Sequence, residues 1–259
     1  MVAAPKKQLL PSTEDLPCSD DTPVDNEDQN LLPNLLLILL NHLWSDRMDW
    51  YFGADMAIYH TTGVSHLVPV VPDGFLSLGV ERKKDGKSRK SYAVWEEQDI
   101  VPIMTLEMVS HKPGGEYDRK IETYAKLGVL YYVIYNPEFW QRDRHQPFEV
   151  YKLVSGTYQL QIGEPYWMPE VGLGIGRAQK EFGGLPQEML TWYDENGKPH
   201  LSEAEKAQVR TQEAKLQAEQ AQVRAQEAKL KAEEAVQKQA QLEAFLKSQG
   251  FDPDNLPSE

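Results

Sequence analysis

The stretch "IVPIMTLEMVSHKPGGEYDRKIETYAKLGVLYYVIYNP", residues 100–137, contains two apolar runs with a helical pattern between them. The runs at 100–110 and 130–137 are rich in β-branched and aromatic residues, which is typical of strands. Two glycines precede a helical pattern over residues 116–127, and a third glycine ends it. A strand, a helix and a strand in succession predict a parallel pair with a right-handed crossover.

The segments around this unit predict more strands and one more helix. Leucines at helical spacing over residues 31–44 predict a helix that covers one face of a sheet. Further strands are predicted at 55–60 and 67–79, and residues 147–161 alternate around Ser155-Gly156, which is a hairpin signal. The expected fold class is therefore α/β, a mixed sheet flanked by helices.

The two ends of the chain differ in character from its middle. Residues 1–28 combine proline, serine and acids with few large apolar groups, which predicts a disordered acidic tail. Residues 29–200 are expected to form the folded domain. A long helix or coiled coil is predicted over 201–248, followed by a flexible tail at 249–259.

The predicted C-terminal helix contains a fourteen-residue repeat, "AQVRTQEAKLQAEQ" at 207–220 and "AQVRAQEAKLKAEE" at 221–234. Two heptads per repeat keep one face in register, and alanines spaced alternately by three and four residues form a seam along it. That seam favours weak self-association as a homo-oligomer. Alanine is also the best helix former, so a solvated single helix remains an equal alternative.

Composition bounds the function classes. The 259 residues carry a formal net charge of −13, which argues against a generally basic nucleic-acid binder. Cys18 is the one cysteine, so no intrachain disulfide can form, and this favours a reducing, cytoplasmic location. The apolar stretch at 31–44 is too short to span a bilayer and contains Asn34, Asn41 and His42, so no membrane partner is expected.

Two carboxylates occupy strand-like positions, Asp73 after a β-branched run and Glu107 within another. A charge at such a position is costly unless it is exposed, paired or bound to a cation. Two acids brought together by neighbouring strands would form an all-oxygen site suited to Mg²⁺.

The predicted helix at 116–127 can supply a cationic partner for these two acids. Lys120 is the leading candidate, since this helix directly follows the strand that carries Glu107. The alternative places Lys120 on the surface as a helical partner of Glu116. Likewise, Asp73 after a proline can be an ordinary turn residue.

The motifs "VPDGF", "LEMVS", "EYDRKIETYAKLGVLYYVIYNPE" and "FEVYKL" resemble the Uma-two family of endonucleases within the PD-(D/E)XK nuclease superfamily. The resemblance covers about residues 45–200 and is most specific between Glu107 and Pro137. It implies a restriction-endonuclease-like fold, two metal-binding acids at Asp73 and Glu107, and an Mg²⁺ or Mn²⁺ cofactor.

The same resemblance implies further site residues. The backbone carbonyl of Met108 would complete the metal shell, and Asp55 would be an accessory acid. The superfamily's lysine lies two residues after the second acid, where this chain has Val109, so the resemblance transfers that role to Lys120. Lys112 is the competing lysine.

A basic cluster follows the Asp73 strand. Positive side chains near a cleft would contact phosphates without reading sequence, although a solvated hairpin tip explains the cluster equally well. Its members are Arg82, Lys83, Lys84, Lys87, Arg89 and Lys90.

The sequence therefore predicts one of two alternative functions. The first is a metal-dependent endonuclease that hydrolyses nucleic acid, with DNA favoured, through Asp73, Glu107 and Lys120. The second is a catalytically inactive scaffold of the same fold that acts through its C-terminal coiled coil.

Overall fold

The computed structural model describes residues 10–18 and 26–250. The chain divides into two compact units, Met1–His200 and Leu201–Glu259. The division falls where the sequence changes to its repeat-rich helical pattern. Among the described residues, no helix is long and apolar enough to cross a membrane.

A six-stranded mixed sheet forms the centre of the first unit, in the order β1-β3-β5-β6-β7-β8. Strands β5 and β6 are parallel, as the crossover pattern predicts, and the other neighbours in this sheet are antiparallel. The strands are β1 (Trp50–Ala54), β3 (Gly74–Leu78), β5 (Met104–Met108), β6 (Tyr131–Tyr135), β7 (Phe148–Val154) and β8 (Thr157–Leu160).

Two further groups of strands complete the unit. A short parallel pair joins β2 (Ile58–Tyr59) to β4 (Tyr92–Ala93), next to a 3₁₀ turn at Val94–Glu96. A three-stranded antiparallel sheet contains β9 (Tyr166–Met168), β10 (Leu173–Phe182) and β11 (Leu185–Tyr193).

Each face of the mixed sheet is covered by apolar side chains from a different layer. One face packs against helix α1 (Glu27–Leu43) and the three-stranded sheet, and Trp192 of β11 donates to the Leu36 carbonyl at 3.0 Å. The other face packs against helix α2 (Ile121–Leu127), with Tyr124 and Leu127 on Tyr132 and Ile134. A short helix, α3 (Trp140–Asp143), lies between β6 and β7.

The crossover helix begins with a wide π turn. Residues Glu116–Lys120 form this turn, and α2 continues from it without a break. Gly115 before the turn and Gly128 after the helix have φ of +84° and +92°, a conformation that side chains with a Cβ rarely adopt. Glycines at both ends therefore let a short helix enter and leave its crossover sharply.

Strand positions differ from the sequence-based predictions in two places. Within the range 55–60, only β2 at Ile58–Tyr59 is extended, and a strand that was not predicted, β1 at Trp50–Ala54, ends before Asp55, whose φ is +48°. The 67–79 strand begins only at Gly74, since Pro69 and Pro72 cannot donate to a ladder. The hairpin is as predicted, with positive φ at both Ser155 and Gly156, as a type I′ turn needs.

The N-terminal segment also differs from the expected disordered tail over 1–28. Residues 10–18 lie against the domain, where Tyr59 donates to the Pro17 carbonyl at 2.8 Å and Trp95 donates to the Pro11 carbonyl at 3.0 Å. Backbone carbonyls thus anchor a segment that has few apolar side chains. Residues 26–28 already belong to the cap and first turn of α1, and residues 1–9 and 19–25 lie outside the described part of the chain.

The second unit contains one 46-residue helix, α4 (Glu203–Ser248). A capping box starts it, because Ser202 Oγ accepts from the Glu205 amide while the Glu205 carboxylate accepts from the Ser202 amide. None of the residues of α4 is buried. The last part of the expected flexible tail, 251–259, lies outside the described residues.

The bond between Trp192 and α1 gives a stability prediction. Trp192→Phe removes the donor to the Leu36 carbonyl and leaves space in a fully buried position, so it should lower the free energy of unfolding by about 2–3 kcal/mol. Denaturant unfolding measures this loss. The matched variant Trp167→Phe, at a 36% exposed position, should change stability by less than about 0.5 kcal/mol. Equal losses in both variants would contradict the assignment.

Candidate functional site

Register places three acids at adjacent strand ends. Gly74 pairs with Ala54 on one side and with Leu106 on the other. One step further along these antiparallel pairs, Asp73 stands opposite both Asp55 and Glu107, and the Asp55 amide still donates to the Asp73 carbonyl at 3.1 Å. Residues that stand opposite each other in a ladder carry their side chains on the same face. The sheet therefore brings Asp73 and Glu107 together.

Asp73 closes the end of strand β5. Its Oδ2 accepts from the Met108 amide at 2.6 Å, so a carboxylate takes the place of a backbone partner at this edge. Burial and the neighbouring Glu107 charge raise the pKa of Asp73 well above its usual range. Two carboxylates this close carry an electrostatic cost that a cation would relieve.

Glu107 is fully buried, with 1% of its surface exposed. Lys120 Nζ donates to its Oε2 at 2.7 Å, and the Tyr124 hydroxyl donates to its Oε1 at 2.5 Å. Both oxygens of the buried carboxylate are thus hydrogen-bonded. Burial raises the pKa of Glu107, and the bonds from Lys120 and Tyr124 oppose that effect.

The π turn presents Lys120 to the sheet. The Lys120 amide donates to the Gly115 carbonyl at 2.8 Å, five residues back, which is the bond that defines such a turn. Tyr124 follows four residues later on the same helix face. Burial disfavours the Lys120 charge, but Glu107 and Asp73 outweigh it and raise the pKa of Lys120. The side chain is therefore an ammonium at neutral pH.

Glu116 does not pair with Lys120 as the surface alternative expects. Its carboxylate is buried and accepts from the Gly114 amide at 3.0 and 2.9 Å, while its backbone carbonyl accepts from the Tyr132 hydroxyl at 2.8 Å. This residue holds the entry of the helix in place. Its negative charge also contributes to raising the pKa of Lys120.

The remaining predicted site residues lie as follows. The Met108 carbonyl accepts from Gln29 Nε2 at 3.2 Å, so an α1 side chain contacts it. Asp55 is exposed and is one of the charges that raise the pKa of Asp73. Lys112 is exposed in the loop before the helix, where its carbonyl accepts from Ser110 Oγ at 3.0 Å.

The basic cluster is largely engaged with acids and other polar groups. Arg89 binds Glu97 through two hydrogen bonds of 2.8 and 2.9 Å, and only 2% of its side chain is exposed. Lys84 pairs with Glu96 at 2.6 Å, which offsets its charge. The other contacts are Lys90 with Glu14, Lys83 with Ser88 and Arg82 with Asn41, while Lys87 is exposed. Three of the six, Lys83, Lys84 and Arg89, therefore stabilise the β3–β4 connection and the turn that follows it.

The acids fit a magnesium-like ion better than a metal with an all-protein cage. No group of three or more His, Cys, Asp or Glu that could hold a metal occurs in the described part of the chain. Mg²⁺ is commonly held by one or two carboxylates, with waters and substrate phosphates as the other ligands. Asp73 and Glu107 supply two such carboxylates.

With this geometry established, the chain can be compared with known proteins. A family profile named Uma2 and described as "Putative restriction endonuclease" matches residues 21–178. The chain belongs to the Uma2 family. Its fold is accordingly a restriction-endonuclease-like mixed sheet flanked by helices, with a long C-terminal helix.

One solved structure that the chain resembles comes from Anabaena variabilis and is described as a "putative nuclease belonging to DUF820". The match has a TM-score of 0.41 and 13% sequence identity, and it covers 57% of this chain and 74% of the other. No curated protein matches the chain.

The sequence analysis does not identify two residues of the site, Tyr124 and Glu116. Tyr124 carries a readable signal, since it lies four residues after Lys120 and therefore on the same helix face. Glu116 carries none, because its burial follows from the glycine turn before it.

The raised pKa of Asp73 predicts a pH-dependent stability effect in metal-free buffer. An unfolded aspartate ionises at about pH 4, whereas the folded protein resists ionisation until a higher pH. Native stability is therefore lost as pH rises through this window. Asp73→Asn keeps an acceptor for the Met108 amide and does not titrate, so this variant should become more stable than the wild type as pH rises above about 4.

Urea unfolding in EDTA across pH measures the difference. Asp194 is the matched control, because amide donors at Asn196 and Lys198 lower its pKa. Asp194→Asn should show the opposite sign and lose stability relative to wild type above its unfolded pKa. A difference for Asp73→Asn that does not vary with pH would contradict the assignment.

Proposed function

We propose that the chain is a metal-dependent endonuclease that hydrolyses phosphodiester bonds in DNA. The observation that carries this proposal is the buried Glu107 carboxylate, which is bound by Lys120 and Tyr124 and stands beside Asp73. Such an arrangement is costly to fold, so a chemical role explains its presence better than packing does.

Asp73 and Glu107 would hold Mg²⁺ or Mn²⁺, with the Met108 carbonyl as a further ligand. The bound ion would lower the pKa of a water and stabilise negative charge on the phosphate. The protein's own groups orient the reactants around that centre.

Lys120 acts as a cation rather than as a base in this proposal. Glu107 and Asp73 raise its pKa, which favours the charged form. An ammonium has three donors, and the bond to Glu107 uses one of them. Lys120 would therefore position the attacking water and stabilise the charge that develops on the phosphate. Tyr124 is a positioning residue that holds Glu107.

Plasmid cutting with Mg²⁺ or Mn²⁺ tests the assignment. Asp73→Ala, Glu107→Gln and Lys120→Met should each reduce the cutting rate by at least about a hundredfold, because Asp73 and Glu107 would hold the ion and Lys120 would position the attacking water. EDTA should abolish cutting of the wild-type protein.

Lys112→Met is the matched control, since it removes the competing lysine of the same charge from an exposed loop. It should retain nearly full activity. Cutting that survives loss of Asp73 and Glu107 would refute this site, and equal losses at Lys112 and Lys120 would refute the role of Lys120.

We also propose that α4 associates with a second copy of itself. The helix has no buried residue, and its repeat preserves one alanine seam that permits close helix approach. An inactive scaffold that works through α4 is the alternative function, and a chain that self-associates but fails to cut would support it.

Sedimentation measures the mass of the full chain and of residues 1–200. The full chain should be larger than a monomer, and the shortened chain should be monomeric. Ala221→Lys with Ala228→Lys should also give monomers, because charge enters the seam while helix propensity is kept. Gln220→Lys with Gln226→Lys, which lie off the seam, should leave the mass unchanged. Monomers in every case would contradict self-association.

A further inference from the structure

A groove of about 780 Å³ is lined by the crossover helical segment and by residues between His60 and Val71. One wall is the helical segment, with Arg119, Lys120, Thr123 and Lys126. The facing wall is the segment from His60 to Val71, which precedes Asp73. Lys120 belongs both to this groove and to the pair with Glu107, so the groove adjoins the candidate site.

The helix wall carries a stripe of polar side chains, in which the Thr123 hydroxyl already donates to the Arg119 carbonyl at 2.8 Å. Arg119, Thr123 and Lys126 follow one another at intervals of four and three residues, which places them on one face. Arg119 and Lys126 are exposed, and the Arg119 guanidinium makes one long contact of 3.4 Å with the Gly114 carbonyl. Two cations therefore face the groove in addition to Lys120.

One acid interrupts this stripe. Glu122 lines the same groove and contacts Lys126 at 3.5 Å, with both side chains about 70% exposed. An exposed pair of this kind contributes little to stability and breaks easily. Lys126 can therefore exchange Glu122 for another anion at little cost.

The facing wall is mostly apolar. Val64 and Val68 line the groove and are 106% and 61% exposed. His60 is buried, and its Nδ1 lies 2.9 Å from Thr62 Oγ1. Burial lowers the pKa of His60, which keeps this wall uncharged at neutral pH. A groove with cations on one side and aliphatic groups on the other suits a ligand with one anionic and one apolar side.

We propose that this groove binds the sugar-phosphate backbone of one nucleic-acid strand next to the bond that is cut. Arg119 and Lys126 contact phosphates, and the aliphatic wall contacts sugars. Phosphate contacts of this kind position a strand without reading its sequence. The inference deepens the proposed nuclease function and rests on it.

Fluorescence anisotropy with a short labelled oligonucleotide tests the groove, in EDTA so that no cutting occurs. Arg119→Gln and Lys126→Gln should each weaken binding by about fivefold to tenfold, and each should reduce the salt slope of log K for a single-stranded oligonucleotide by about 0.7. Glu122→Gln should strengthen binding, because it removes an acid from the groove and releases Lys126. Two opposite signs on one helix face are hard to obtain from misfolding.

Lys198→Gln is the matched control, since Lys198 is an exposed lysine of the three-stranded sheet's connection to α4. It should bind like the wild type. If the wild type cuts DNA but all three groove variants bind like Lys198→Gln, the groove inference fails and the nuclease stands. If binding depends on the groove residues but no metal supports cutting, the nuclease fails and the groove remains only as a nucleic-acid-binding site, without a role beside a cut bond.

Discussion

The bonds that Lys120 and Tyr124 donate to the Glu107 carboxylate are the constraint on which the rest of the site depends. Burying an ionised carboxylate to 1% exposure would have a prohibitive free-energy cost without hydrogen-bond partners for both oxygens. Those partners come from one helix face, so the helix must dock at this end of the sheet and in this orientation. The π turn and the glycines at 115 and 128 make that docking geometrically attainable.

Asp73 adds an electrostatic cost that the fold does not fully offset. Its hydrogen bond to the Met108 amide is favourable, but burial and Glu107 still raise its pKa well above normal. A group whose charge the native state resists is a burden on stability and is typical of a functional site. The same register that builds the sheet thus creates the strain that a cation would relieve.

Local sequence patterns predict much of this fold, whereas the long-range register of the strands determines the site. The helix at 116–127 and the parallel β5–β6 pair follow from glycine punctuation and apolar runs. The three-stranded sheet and the docking of residues 10–18 were not predicted, since backbone carbonyls and distant aromatic side chains determine them. Asp73 and Glu107 were singled out by residue type and by family resemblance. Their proximity depends on the pairing of Gly74 with Leu106, which neither acid encodes.

Charge distribution explains why the expected basic cluster and the groove differ in what they can bind. The chain is acidic overall, with a net charge of −13, so a polyanion is repelled unless local cations are exposed. Glu96 and Glu97 pair with Lys84 and Arg89, so these two positive charges stabilise the β3–β4 connection and are not available to a ligand. Among the described residues, Arg119 and Lys126 are held by a long contact and an exposed pair, and they stand on the helical segment that supplies Lys120. These two cations therefore remain available to an anionic ligand on the helix that also supplies Lys120 to the acids.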